Sequence, residues 1–394
     1  MAVPALAADS PSPTAGVQAT TLENGLRVLL LEDHRSPIVT VQTWYRVGSR
    51  NEHRGATGIA HFLEHMMFKG TPNHGPREFA RLVEQNGGQD NAFTSQDVTS
   101  YYVNLVADKL DLVLDLEADR MHNLLLDAKE IDSERQVVIE ERRTRTEDDP
   151  EGFLAEEVSS IAFKAHPYSN PIIGWSEDLR RITPAEIRAF YKTYYNPNNA
   201  ILVVVGDFKA DEALGKIKAR LGRVPRAPDP PPVLAVEPPQ NGERRVIVKK
   251  QAQLPVVHLA WHVPNQKSDD AAALELLSTV LSGGRASRLY RHLVYPETLE
   301  KVLLEEMEQL KQQPVTEEEL TRAKNQIEAE FVFQQDSIHR RASLLARFET
   351  IGGYKLEDSF ISRIRAVTAA DIQRVARTWF PTDKKNVGIL LPQP

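Results

Sequence analysis

The chain has 394 residues, 41% of them hydrophobic, and its 48 basic and 55 acidic residues give a formal net charge of -7. That length suits two to three domains of about 150 residues each, and the acidic balance lacks the basic footprint of a nucleic-acid binder. There is no cysteine, which excludes disulfides, thiolate metal sites and cysteine nucleophiles together, so any metal must be held by His, Asp or Glu.

Residues 1–20 read as the tail of an exported protein. No charge precedes Asp9, and Ala5-Leu6-Ala7 followed by Ala8 resembles the end of a secretory signal whose earlier parts are incomplete or removed. The expected location is the periplasm. Next come two strand patterns, GLRVLLLED from Gly25 and VTVQTWYRV from Val39. In GATGIAHFLEHMMFKGT, from Gly55, Thr57 is placed near the helix N-cap and Gly70 at its stop, giving a helix of about ten residues. NAFTSQDVTSYY follows from Asn91, and the acidic helix IDSERQVVIEERRTRTEDD from Ile131. His166, in HPYSNPIIGWSEDL, is read as a structural or loop residue because Pro167 and Pro171 disfavour a helical platform.

Seven prolines between Pro225 and Pro239 mark a semi-rigid spacer. On either side the chain repeats itself. The strand around Trp44 is matched by VVHLAWHVPN around Trp261, and the Thr-capped helix and strand from Ile182 are matched by those from Val367. This organisation predicts an α+β fold of two homologous domains, each an antiparallel sheet packed with helices. Residues 21–222 form the first domain, 223–243 the linker and 244–394 the second. Trp44 to Thr183 spans 139 positions but Trp261 to Thr368 only 107, so the second copy is 32 short near LVYPETLEKVLLEE (293–306), through either a reduced second domain or a segment absent from this sequence. No apolar run, Ile201–Val205 included, approaches the roughly 18 residues of a membrane span.

The chemistry centres on His61-Phe-Leu-Glu64-His65. Residues four apart share a helical face, so both imidazoles can bind one ion while Glu64 projects beside them. Glu134 and Glu141, seven apart and again on one face, can approach from a second helix while Val137 and Val138 pack inward. Two histidines and one glutamate form a catalytic zinc set that leaves a position for water.

The order H-x-x-E-H is that of the inverzincins, and together with SERQVVIEE and NAFTSQDVTSYY it resembles the M16 family of zinc metallopeptidases. Its two-domain subunits of about four hundred residues are similar in size. The resemblance implies one zinc per active site, held by His61, His65 and Glu141, with Glu64 as the catalytic base and Glu134 as a supporting carboxylate of the same catalytic set. Glu140 competes as third ligand but points about 100° away on the helix. The family's cleft-side strand implies substrate contacts at Asn91, Ala92 and Phe93. The second half has no H-x-x-E-H and is expected to be non-catalytic.

The expected function is zinc-dependent endoproteolysis of unfolded peptides in a chamber, with Glu64 activating a zinc-bound water. The alternatives are a non-hydrolytic peptide-binding subunit and a purely structural zinc. The expected partners are a peptide substrate and either a second copy or a zinc-free homologous subunit; the position of any substrate-anchoring Arg and Tyr pair is not assigned.

Overall fold

The long apolar runs become the centre of a sheet. In the computed structural model, which describes residues 12–292 and 299–393, strands β1 (Gln18–Thr21), β2 (Arg27–Glu32), β3 (Ile38–Tyr45), β4 (Gln89–Thr94), β5 (Thr99–Val106) and β6 (Ala200–Gly206) pair in the order β1-β2-β6-β3-β5-β4. Every residue of β6 is buried, as a central strand covered on both faces requires. Strand β4 lies at the edge. Between the strands run α1 (Ile59–Met66), α2 (Glu78–Gln85), α3 (Leu110–Asn123), α4 (Ala128–Arg142), α5 (Pro150–Ala162), α6 (Ser176–Arg181) and α7 (Pro184–Tyr194), with α8 (Ala210–Arg220) after β6.

Residues 225–241 carry no helix or strand. The proline-rich segment is nonetheless fastened: the Glu237 carboxylate accepts hydrogen bonds from the backbone N–H groups of Lys164, Ala165 and His166 at 2.8–3.0 Å. Beyond it, β7 (Arg244–Gln251), β8 (Val256–Ala260) and β9 (Asn386–Gln393) form a second sheet in the order β7-β9-β8. Helices α9 (Ala271–Ser282), α10 (Arg288–His292), α11 (Leu299–Gln312), α12 (Glu317–Gln334), α13 (Ile338–Ile351), α14 (Phe360–Ala366) and α15 (Ala369–Trp379) lie between β8 and β9. Among the described residues no helix is long and apolar enough to cross a membrane.

The α+β arrangement holds, with one difference. Each sheet contains a parallel pair, β2 with β6 and β7 with β9, because in both copies the chain returns to the sheet through a run of helices. All other pairs are antiparallel. The trio β7-β9-β8 thus repeats β2-β6-β3 strand for strand, and Thr183 with Glu186 and Thr368 with Asp371 form matching capping boxes on α7 and α15. The hairpin β4–β5 has no counterpart in the second sheet among the described residues. Part of the expected gap, residues 293–298, lies outside the described residues, as does Ala5 to Ala8, whereas 299–312 form α11. Trp261 follows β8 instead of lying within it.

Each sheet is covered by a helix from the other half. Leu29, Trp44, Ile201, Val203 and Val205 on one face of the first sheet pack against Ala342, Leu345 and Ala346 of α13. Leu154 and Val158 of α5 pack in turn against Val248 and Leu390 of the second sheet. The close approach of α5 requires a glycine, since a Cβ at Gly388 would overlap Val158 Cγ2 and lie 3.0 Å from Leu154 Cδ1. Overpacking of this kind costs about 1–3 kcal/mol. Gly388→Val is therefore expected to lower the urea midpoint by that equivalent, and Val158→Ala in the same chain to recover part of the loss.

Candidate metal centre

Helix α1 is buried almost all round: Ile59, Ala60, Phe62, Leu63 and Met66 are at most 2% exposed. Its entry is set by long-range contacts and not by Thr57. Gly58 occupies the left-handed region at φ 86°, where a Cβ would also overlap the Ile173 carbonyl oxygen. The Glu52 carboxylate accepts from the backbone N–H groups of Gly58 at 2.8 Å and Ala60 at 2.9 Å, satisfying amides that a helix start leaves unpaired. Thr57 instead donates its hydroxyl to Asp178 at 2.7 Å. The helix has eight residues, and its chain turns off at Met67, three positions before Gly70.

Helix α4 starts on the Asp127 side chain, which accepts from Lys129 N–H at 2.9 Å, and is anchored by fully buried Ile131 and Val138. Val137 departs from expectation, being 49% exposed, because the inward face runs through Ile131, Glu134, Val138 and Glu141 at helical spacing. Both carboxylates meet His65: its Nδ1 lies 2.9 Å from Glu134 Oε1 and its Nε2 lies 3.3 Å from Glu141 Oε2. His61 Nε2 is 3.8 Å from the same Glu141 oxygen. Glu140 points to solvent and pairs with Arg143.

One ligand atom from each of His61, His65 and Glu141 falls within 4.8 Å of the others. A tetrahedral zinc site with bonds of about 2.0–2.1 Å sets adjacent ligand atoms roughly 3.3 Å apart, so this donor set fits the ion. Glu134, which also pairs with Lys69, fixes the His65 ring from behind, as outer carboxylates do at metal-binding histidines. Burial, reinforced by neighbouring His65, pushes the His61 imidazole down to about 4 and keeps it neutral, the form that binds a metal. Burial would also lower His65, but its hydrogen bonds to Glu134 and Glu141 outweigh that and raise it to about 9. The hydrogen bond from His65, above all, holds the Glu141 carboxyl below its usual range.

Glu64, 9% exposed, does not join the ligand group. Its Oε2 accepts a 2.5 Å hydrogen bond from the Thr94 hydroxyl on β4. Burial raises its carboxyl above the ordinary value, with the Thr94 bond opposing. His61, Glu64, His65, Thr94 and Glu141, but not Glu134, open on a cleft of about 700 Å³ bounded by α1, β4, α5 and residues 168–173. Asn91, Ala92 and Phe93 line it; the Phe93 ring also packs edge-on to Trp44 at 5.3 Å. His166 sits in a loop with its Nδ1 accepting from Tyr168 N–H. Thr94 and Arg145 escaped the sequence reading. Arg145, 2.7 Å from Glu141 Oε1, carries a signal in its four-residue spacing from Glu141, whereas Thr94 carries none, since only strand pairing brings it to α1.

Along most of its length the chain is similar to known peptidases. Residues 27–175 match the model of Insulinase (Peptidase family M16) and residues 181–297 that of the Peptidase M16 inactive domain. Zinc protease PqqE of Helicobacter pylori is 32% identical over 416 aligned positions, covering 95% of this chain and 93% of that protein. The chain belongs to peptidase family M16. That alignment exceeds the 394 residues of the whole chain, so at least 22 of its positions have no counterpart here. The crystal structure of a protease from Helicobacter pylori superposes with a TM-score of 0.93 at 32% identity, covering 95% of this chain and 99% of that one. PqqL of Escherichia coli, described as a periplasmic protease, shares the fold with a TM-score of 0.77 at 19% identity over 98% of this chain and 48% of its own. The match to the inactive-domain model runs from α6 of the first half through the linker and into the start of the second half, and none of it contains H-x-x-E-H.

Loss of an outer carboxylate at such sites costs roughly 10–100-fold in metal affinity or activity. Glu134→Gln is expected to weaken zinc binding by that factor in a chelator competition, and Glu140→Gln to leave it unchanged. Thr94→Val is expected to keep the zinc content unchanged in the same assay, because Thr94 touches Glu64 and none of the three ligand residues.

Proposed function

We propose that the protein is a zinc-dependent endopeptidase acting on unfolded peptides. The observation that carries this reading is the convergence of His61 Nε2, His65 Nε2 and Glu141 Oε2, with Glu64 held apart from them by Thr94. His61, His65 and Glu141 would hold zinc, which when bound supplies Lewis acidity toward the peptide carbonyl and the attacking water. Glu64 takes a proton from that water and hands it to the departing amine, so that one water is consumed as the C–N bond breaks. Glu134 keeps the His65 ring in place throughout. The intact ligand set favours this reading over a non-hydrolytic peptide-binding subunit.

Strand β4 offers an edge beside this centre, and an extended peptide added to it would gain main-chain hydrogen bonds from the backbone of Asn91, Ala92 and Phe93. Folded domains present few such free stretches, so unfolded chains are the proposed substrates. A chamber completed by a second copy or by a zinc-free homologous chain, and a periplasmic setting, belong to the same proposal.

General-base catalysis contributes typically 10²–10⁴-fold. Glu64→Gln is expected to retain one zinc per chain by metal analysis yet hydrolyse a long unstructured peptide at least about 100-fold more slowly. Turnover at the wild-type rate would remove Glu64 as the base, and absence of zinc from the wild-type protein would remove the peptidase reading.

A further inference from the structure

One cation faces the metal cleft. Among the described residues that line it, Arg145 is the sole Lys or Arg. It belongs to the single π-helical turn Arg143–Glu147 that follows α4, and its four-residue distance from Glu141 puts the two side chains on one face, with Nη1 2.7 Å from Glu141 Oε1. Its neighbours in the chain are fully engaged. Arg142 gives Nε to Glu147 and both terminal nitrogens to Glu156, and Arg143 gives Nε and Nη2 to Glu140 and Nη1 to Asp148. Arg145 uses Nη1 alone. Its side chain is 74% exposed, and its Nε and Nη2 have no partner among the described residues.

A guanidinium presents its donors in a planar fork, and the edge formed by Nε and one Nη takes both oxygens of a carboxylate at once. That edge of Arg145 is open. Glu141 meets Nη1 through Oε1 while its Oε2 lies 3.3 Å from His65 Nε2, so neither oxygen occupies the Nε–Nη2 side. The other carboxylates that line the cleft, Glu64 and Glu156, are held by Thr94 and by Arg142. The fork therefore has no further acceptor within the cleft and is turned toward whatever enters it.

We infer that Arg145 binds a carboxylate of the peptide substrate and so sets a preference for an acidic group near the cleaved bond. This inference rests on the peptidase reading and narrows its substrate class. Arg145 stands one hydrogen bond beyond a member of the metal group, and an extended chain rises about 3.3 Å per residue, so the acidic group falls about two residues or fewer from the bond that is cut. An Asp or Glu side chain and the terminal carboxylate of a peptide both supply this chemistry.

The test uses unstructured fluorogenic peptides without charge, amidated at the C-terminus and carrying Gln on both sides of the cut bond. In one series a single Gln at a time becomes Glu; in another the Gln peptide keeps a free C-terminal carboxylate at successive distances from the bond. At one position an acidic group is expected to raise kcat/KM about tenfold over its neutral counterpart, the lower end of what a hydrogen bond to a charged group supplies. An advantage in the first series assigns Arg145 to a side chain and one in the second to the chain end. Arg145→Gln is expected to level acidic and neutral peptides while retaining zinc, and Arg145→Lys to keep part of the contrast. Fluorescence anisotropy with labelled peptides on Glu64→Gln protein should show the same contrast in Kd without turnover. Equal kcat/KM and Kd throughout would overturn the role of Arg145 and leave the peptidase reading standing. A Kd contrast that depends on Arg145, without hydrolysis by the wild-type protein, would do the reverse. A contrast that survives Arg145→Gln overturns the assignment, because another group then holds the carboxylate.

Discussion

The structure depends on the meeting of two helices across a few polar atoms. Helix α1 has given nearly all its side chains to the core, so His61, Glu64 and His65 have one direction left, and α4 brings Glu134 and Glu141 into it. A lone carboxylate or imidazole would be costly there, because burying a charge without a partner is unfavourable. The two helices are mutually satisfied only at one rotation and one height. Glu52 fixes the first turn of α1, and the buried Arg142 fixes the end of α4 by a bidentate pair with Glu156 of α5, both contacts at 2.8 Å.

Much of this was legible in the sequence because it follows from helical periodicity. The four-residue spacing of His61 and His65 and the seven-residue spacing of Glu134 and Glu141 are local facts, and local facts survive folding. What was not legible is non-local. Thr94 reaches Glu64 because β4 pairs with β5 and lies beside α1, and no spacing within the strand announces it. Thr57 looked like a cap but found Asp178, 121 residues away, as a better partner. Val137 and Val138 were indistinguishable by composition, yet only Val138 faces the interior.

The duplication explains the asymmetry of the molecule. Both copies keep the three strands that define the unit, with the same directions and the same capped helix before the last strand. In the first copy the helix after the second strand of the unit carries His61, Glu64 and His65, and β4 of the hairpin walls the cleft. In the second the corresponding helix, α9, is an apolar packing element, and the hairpin is missing from the described sheet. The sequence count placed the shortfall near 293–306, and among the described residues the second sheet holds no counterpart of β4–β5.

The exchange of α5 and α13 between the halves has a mechanical consequence. Neither sheet can be parted from the other half without exposing an apolar face, so the proline-rich segment is not what keeps the halves together. A chain severed between residues 225 and 241 would still be one body, held by two crossed helices. Any opening of the cleft must then come from rearrangement within the halves, because a hinge at the segment that joins them would have to unseat both helices first.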